Sequence, residues 1–192
     1  MAVPRVALFA RYPTPGQAKT RLITAIGEAA AAALHRRLVE RTLATVRASG
    51  LPFELRITGA PMEAFAGWLG GDVPLVAQGD GDLGERLARV PAPMLLIGGD
   101  CPDLVPAHLL AAAAAFDKAP AVLGPAADGG YWLFGLGRAM PHCFAAMSWG
   151  TDAVAAQTRA RLADEGVTPV ELETLHDCDR PEDLARWPWL LP

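Results

Sequence analysis

The stretch Met94-Leu95-Leu96-Ile97-Gly98-Gly99-Asp100-Cys101-Pro102-Asp103 decides the fold. Four consecutive apolar residues without polar alternation read as a strand buried on both faces, the pattern of a parallel sheet covered by helices. Two glycines and a carboxylate follow where that strand ends. Ligands of open α/β sheets bind outside the carboxyl ends of the strands, so Asp100 stands where a ligand is expected.

Outward from this strand, residues 6–10 form another continuous apolar run, and a Pro/Gly loop follows from Arg11 to Lys19. A long helix is predicted over residues 28–48. Ala31, Leu34 and Leu38, then Val39, Leu43 and Val46, step by three and four and make one wide apolar face, with Ser49-Gly50 as its stop. Residues 53–58, 74–77, 121–123, 131–136 and 168–172 read as strands. Residues 61–69, a short stretch up to Arg89, 106–116, 152–165 and 181–187 read as helices. Alternation of this kind predicts an α/β fold with a mostly parallel sheet, in a single domain over residues 1–192.

The chain has 192 residues, 17 Lys+Arg against 21 Asp+Glu, a net charge of −4 and 52% hydrophobic residues. This is a globular composition, and its mild acidity without a basic cluster argues against a nucleic-acid partner. Cys101, Cys143 and Cys178 show no paired spacing, so a reducing cytosol is expected. Residues 1–5 show no leader pattern. The longest apolar stretch, residues 104–116, is broken by His108 and is too short to span a bilayer. A cytoplasmic protein without membrane contact is expected.

Five loops could carry chemistry. In the first, Gly16 allows close backbone approach to an anion, while Lys19 offers a point charge and Arg21 a planar fork for phosphate oxygens. A proline-stiffened turn with two solvated bases is the plain alternative. In the second, Gln78-Gly79-Asp80-Gly81-Asp82-Leu83-Gly84-Glu85-Arg86, Asp82 and Glu85 have capping-box spacing. Gln78 and the glycines suit a wall around a flat base. In the third, Asp100 is the first choice for a hard cation such as Mg2+, and Asp103 suits a helix cap. In the fourth, Asp128-Gly129-Gly130 is either a tight hairpin turn or the approach for a polar acceptor. In the fifth, Asp177 and Asp179 share one side of an extended segment and could close a carboxylate site around the same ion. Glu182 and Asp183 suit a helix start. A zinc site from His176, Cys178 and Cys101 lacks metal-type spacing.

These motifs occur in a recognisable order: Phe9-Ala10-Arg11 with Gly16, Lys19-Thr20-Arg21-Leu22; Gln78-Gly79 with Gly81 to Arg86; Gly99-Asp100 with Pro102-Asp103; Gly124-Pro125 with Asp128 to Tyr131; and Asp177, Asp179 with Pro181 to Leu184. Across nearly the whole chain they resemble the DUF2064 family, also called glycosyltransferase-like or selenodomain-associated transferase 1. That family lies within the nucleotide-diphospho-sugar transferase (GT-A) superfamily, which also holds molybdenum-cofactor and 2-phospholactate guanylyltransferases. The resemblance implies a three-layer sandwich of GT-A type. It implies a nucleotide on Ala10, Arg11, Gly16, Lys19, Arg21, Gln78, Gly79, Asp82, Gly84 and Arg86. Mg2+ or Mn2+ would sit on Asp100 with Asp177 or Asp179. A small acceptor would lie by Asp128, Gly129, Gly130, Tyr131 and Trp149, with Lys19 and Asp128 as catalytic groups. Arg11 stands where lysine is common, and Cys101 where serine is common. Three functions stay open: glycosyl transfer from a nucleotide-diphospho-sugar, nucleotidyl transfer from an NTP to a phosphorylated molecule with pyrophosphate release, and nucleotide binding without catalysis.

Overall fold

The protein is described from a computed structural model covering residues 2–191. A seven-stranded sheet has the order β3-β2-β1-β4-β6-β5-β7. Its strands are β1 (Arg5–Arg11), β2 (Phe53–Thr58), β3 (Leu75–Ala77), β4 (Met94–Ile97), β5 (Ala121–Pro125), β6 (Tyr131–Leu136) and β7 (Val170–Glu171). β1, β2, β3 and β4 run parallel, β6 is antiparallel to both β4 and β5, and β7 is parallel to β5. The chain winds outward from β1 to β3, then crosses back to lay β4 on the other side of β1. A crevice therefore opens between the carboxyl ends of β1 and β4.

Helices α1 (Ile23–Ile26), α2 (Glu28–Ser49), α3 (Met62–Leu69), α4 (Leu83–Ala88), α5 (Pro106–Ala115) and α6 (Val154–Asp164) cover the sheet, with short 3-10 turns between them. One face carries Val6, Leu8, Leu55, Ile57, Leu95 and Ile97, packed under Val39, Leu43 and Val46 of α2, Phe65 of α3 and Leu109 of α5. The opposite face carries Ala7, Met94, Leu96, Phe134 and Leu136 under Leu87 of α4, Phe144, and Ala155 and Leu162 of α6. Strand residues alternate between these two cores as period two requires, which gives the expected three layers. α2 ends at Gly50, whose φ of 70° is the left-handed stop expected there.

A third apolar cluster positions the site. Leu184, Trp187 and Leu190 of the C-terminal tail dock against Leu22, Ala31, Leu34 and Leu38, with Cys178 buried among them. The tail is also fastened by polar bonds. Arg37 donates to the Leu190 carbonyl at 2.7 Å, and the Trp187 indole N–H donates to Asp103 at 3.0 Å. Asp103 is thus a tail anchor and not the helix cap expected of it; Val105 is the residue at the start of α5.

Two expected elements are smaller than predicted. The late strand, expected over 168–172, is reduced to Val170–Glu171, which pairs with Val122 and Leu123 of β5, and the chain meets β5 again at Leu175, whose N–H donates to the Pro125 carbonyl at 3.1 Å. The last helix, expected over 181–187, is a 3-10 helix, Pro181–Arg186. Pro188 follows at once and excludes the α conformation from Trp187, whose φ and ψ are −131° and 66°. Trp187 is buried in the third cluster, while Trp189 stays exposed.

Candidate active site

The loop leaving β1 turns sharply at Gly16 and again at Lys19, which has φ 48° and ψ 48°. A lysine in the left-handed region costs on the order of 1 kcal/mol. The conformation starts the turn Thr20–Leu22, with the Leu22 N–H donating to the Lys19 carbonyl at 2.9 Å. It also buries the lysine side chain, which keeps 4% of its surface exposed, and points its ammonium at the end of β4.

There Lys19 Nζ lies 2.6 Å from Asp100 Oδ1 and 3.5 Å from Asp179 Oδ1. Arg21 Nη1 reaches the other oxygen of Asp179 at 2.5 Å. Burial pushes the Lys19 amine down, but Asp100 and then Asp179 outweigh it and hold its pKa above the ordinary lysine value. Burial likewise pushes the Asp100 carboxyl up, and Lys19 overrides it, so Asp100 stays below the usual carboxylate range. Asp100 is packed against the cleft floor yet keeps 47% of its side-chain surface open to the cleft. The tail holds this arrangement together: the Cys178 N–H donates to the Asp100 carbonyl at 2.8 Å, and Asp183 accepts from the N–H groups of Asp179 and Arg180. Asp183 is therefore structural, as its place at a helix start predicts.

Asp100, Asp128, Asp177 and Asp179 line one cleft of about 240 Å³, with Arg21 among the other residues of its wall. Burial and the nearby charge of Asp128 push the Asp177 carboxyl up to about 6. An all-oxygen set of carboxylates suits Mg2+ or Mn2+. Among the described residues, however, no three acidic, histidine or cysteine side chains converge on one point. Asp100, Asp177 and Asp179 share a cleft without forming a closed coordination shell, and the cation between Asp100 and Asp179 is the Lys19 ammonium. The zinc alternative finds no such cluster either; the Cys101 and Cys178 thiols are buried, and burial pushes Cys178 up to about 11.

Asp128 opens the turn between β5 and β6. Its Oδ1 accepts from the Gly130 N–H at 2.8 Å, and its side chain is exposed. Gly129 (φ 89°) presses its backbone on Asp152, where a Cβ would fall 2.2 Å from a carbonyl oxygen. Its own carbonyl accepts from the Ala155 N–H in the first turn of α6. The tight-turn expectation holds, and the turn places Asp128 at the cleft. Tyr131 and Trp149 line an adjoining apolar pocket.

The 78–86 loop is placed differently from expectation at several positions. Gln78 is 6% exposed, and its amide donates to the Ala10 carbonyl at 3.3 Å and the Arg56 carbonyl at 2.9 Å. It ties β1 to β2, so its N–H groups are engaged by backbone and do not face a base. Asp82 and Glu85 form the capping box of α4. Gly84 meets the Phe144 carbonyl, 2.2 Å from where a Cβ would lie, and so packs α4 against its neighbour. Gly79 (φ 78°) turns over Arg89, which donates to the carbonyls of Gln78 and Asp80. Arg86 is half-buried, and its Nε has no hydrogen-bond partner among the described residues. Arg11 and Gly16 lie on the exposed side of the first loop, where Arg11 reaches Gln17 at 3.4 Å.

The sequence shows His35 in no triad and gives it no role. His35 lies on α2 four residues after Ala31 and four before Val39, so a polar residue interrupting the apolar face was the available signal. Its Nε2–H donates to the Arg11 carbonyl at 3.0 Å, which fastens the end of β1 beneath the Lys19 loop, and burial lowers its pKa. Arg161 is likewise given no role. From α6 it donates to the carbonyls of His142, Ala145 and Ala146 and so fixes the segment that leads to Trp149.

A family model described as an uncharacterized protein conserved in bacteria (DUF2064) matches residues 42–151. Among solved structures, a candidate nucleotide-diphospho-sugar transferase of Desulfovibrio desulfuricans G20 superposes with a TM-score of 0.82 at 30% identity, covering 94% of this chain and 84% of that one. Rv0371c of Mycobacterium tuberculosis H37Rv, solved as a complex with manganese, gives a TM-score of 0.57 at 20% identity, over 95% of this chain and 97% of that one. A 4-diphosphocytidyl-2C-methyl-D-erythritol synthase gives 0.61 at 12% identity, over 99% of both chains. The last two likenesses concern the fold alone. No curated protein matches the chain by sequence.

Proposed function

The chain belongs to the DUF2064 family, with a nucleotide-diphospho-sugar transferase fold, and on that premise we propose that it is a metal-dependent transferase moving a glycosyl group from a nucleotide-diphospho-sugar to a small acceptor. The observation that carries this reading is the Lys19–Asp100–Asp179–Arg21 assembly at the β1/β4 crevice, in one cleft with Asp128. The name of the Desulfovibrio protein, at 30% identity, supports the same class.

Asp100, with Asp177 or Asp179, would hold Mg2+ or Mn2+, which when bound supplies positive charge against a diphosphate. Lys19 is already aimed at the end of β4, and in the reaction its ammonium neutralises charge gathering on the departing nucleoside diphosphate. Arg21, half-exposed beside it, offers a fork for the same oxygens. Asp128 orients the acceptor hydroxyl and takes its proton on the carboxylate oxygen that Gly130 leaves free. The acceptor oxygen bonds to the anomeric carbon. The bond from that carbon to the diphosphate oxygen breaks, and its electron pair leaves with the nucleoside diphosphate.

Nucleotidyl transfer to a phosphorylated acceptor differs in what the acceptor side must hold. The charged residues of the cleft wall are Arg21, Asp100, Asp128, Asp177 and Asp179, and Arg21 is already paired. A phosphorylated acceptor would meet carboxylates there, which favours a neutral one. The test is product analysis with UDP- and GDP-sugars, and with NTPs, in MnCl2. Nucleoside diphosphate from a nucleotide-sugar, absent in Asp100→Asn, is expected. Pyrophosphate from an NTP would replace this reading with the nucleotidyl one, and nucleotide binding without any product would leave a sensor.

A further inference from the structure

Beside the carboxylate cleft, and sharing Gly98, Asp128, Gly130 and Tyr131 with it, lies a second pocket of about 220 Å³. Its walls come from both halves of the sheet and from two helices: Phe9 of β1, Leu96 of β4, Leu87 of α4 and Val154 of α6, closed by the rings of Tyr131 and Trp149. Leu83, at the first position of α4, also belongs to the wall and remains 41% exposed. An exposed leucine at the edge of an apolar pocket extends that surface outward, which suits an apolar occupant better than bulk water.

The polar inventory is short. Trp132 lines the pocket, but its indole N–H is engaged by the Glu173 carbonyl at 3.0 Å. The Thr151 hydroxyl donates to the Ser148 carbonyl at 2.7 Å. Among the described residues the lining has one charged side chain, Asp128, and no lysine, arginine or histidine. The Tyr131 hydroxyl and the Trp149 indole N–H are buried without a hydrogen-bond partner. A carboxylate or phosphate taken into this pocket would lose its water and find no cation. A sugar with several hydroxyls would find too few partners. An apolar cavity of about 150 Å³ accepts one benzene ring, so the volume here suits a body of one or two rings.

We infer that this pocket is the acceptor subsite, and that it selects an uncharged alcohol with a compact apolar or aromatic body whose hydroxyl points to Asp128. This rests on the transferase reading above for the identity of the site and adds the class of acceptor. The pocket is held ready before any ligand arrives. Gln157 of α6 donates to the Ser148 hydroxyl and accepts from the Ser148 N–H, and Arg161 fixes the carbonyls of Ala145 and Ala146, so the segment bearing Trp149 is braced on α6 at two points.

The test is calorimetric titration of the full chain at pH 7 with three probes: 2-naphthol, glucose and glucose 1-phosphate. Leu83→Glu and Trp149→Ala serve as variants. An acid in the first turn of α4 is compatible with that helix, so Leu83→Glu changes the rim without threatening the fold. Saturable binding of 2-naphthol is expected, at least tenfold tighter than either sugar and weakened at least fivefold in both variants. Tighter binding of glucose 1-phosphate, or 2-naphthol binding indifferent to both variants, overturns the inference. UDP with MnCl2, titrated into the same protein, judges the donor reading separately. Loss of UDP binding beside intact, variant-sensitive 2-naphthol binding removes the donor reading and supports the apolar pocket.

Discussion

The ammonium of Lys19 stands 2.6 Å from Asp100 Oδ1, and the same ammonium is 3.5 Å from Asp179. One buried cation from the first loop therefore holds two carboxylates, one from the middle of the chain and one from its C-terminal tail. Replacing it with a neutral side chain leaves those carboxylates facing each other. Lys19→Met is expected to lower stability by about 1–3 kcal/mol, less than for a fully buried pair because Asp100 is open to the cleft. The sign with pH follows from both partners. Asp100 is depressed, so its contribution is lost as pH falls through the folded carboxyl value. Lys19 is raised, so its contribution is lost as pH rises through the folded amine value. Urea titrations at pH 7 and pH 3 check this. The gap between parent and variant should be present at pH 7 and shrink at pH 3.

Asp177 behaves in the opposite sense to Asp100. Its folded value of about 6 lies above the ordinary carboxyl value near 3.9. Between those values the folded state holds more protons than the unfolded one, so stability falls as pH rises across that window and stays reduced above it. Asp177→Asn in EDTA is expected to melt about 2–4 °C above the parent at pH 8, equivalent to about 1 kcal/mol in a chain of this size. The two curves should coincide at pH 4. A variant no more stable than the parent at pH 8 would count against the burial and the Asp128 charge as the cause.

Asp82 separates a structural role from a ligand role. Its side chain accepts the Glu85 N–H at 2.9 Å, and Glu85 returns the bond at 2.8 Å. Asp82→Ala should cost about 1 kcal/mol, as lost helix caps do, seen as a melting shift of about 2–4 °C. UDP titrations with MnCl2 should match the parent. A large loss of UDP affinity without a melting shift would instead make Asp82 a nucleotide ligand.

Arg161 is expected to act on mobility more than on global stability. It braces three carbonyls, and the ends it fastens are exposed, so water can replace part of the lost bonding. Arg161→Ala should cost about 1–2 kcal/mol and speed amide exchange in the 145–151 segment, with β1 and β4 unchanged. Hydrogen-exchange mass spectrometry of peptides covering that segment gives the answer. Uniform exchange across parent and variant would show the brace to be idle.

Most of the framework was legible because it is written locally. The apolar runs at 94–97 and 131–136 coincide with β4 and β6, since a strand buried on both faces reads as continuously apolar, and the alternating Phe53, Leu55 and Ile57 coincide with β2. The turn Thr20–Leu22 and helix α1 escaped, because they follow from left-handed backbone at Gly16 and Lys19, and a lysine gives no sign of that conformation. At the site, Asp100 was legible as the carboxylate after a buried strand. Gln78 reads as a ligand because it is a polar residue among glycines, whereas in the fold it is buried with its amide on the Ala10 and Arg56 carbonyls of the β1–β2 pair. The pairing of Asp179 with Lys19 and Arg21 depends on how the tail docks, and no local pattern encodes that.

The docking of Leu184, Trp187 and Leu190 against the start of α2 also sets when the site can exist. The bridge joins positions 19 and 179, so the chain must leave the ribosome at least through Asp179 before both ends of the bridge can meet. A nascent chain whose tail is still inside the exit tunnel can hold its sheet and both helical layers, yet Lys19 then has Asp100 as its single partner and the late aspartates have not arrived. Closure of this long loop comes late in assembly because its entropic cost must be met by the tail's own apolar contacts. Assembly of the carboxylate cleft is therefore tied to tail docking: a chain cut before Leu184 is expected to keep its sheet and to lose the hold on Asp179.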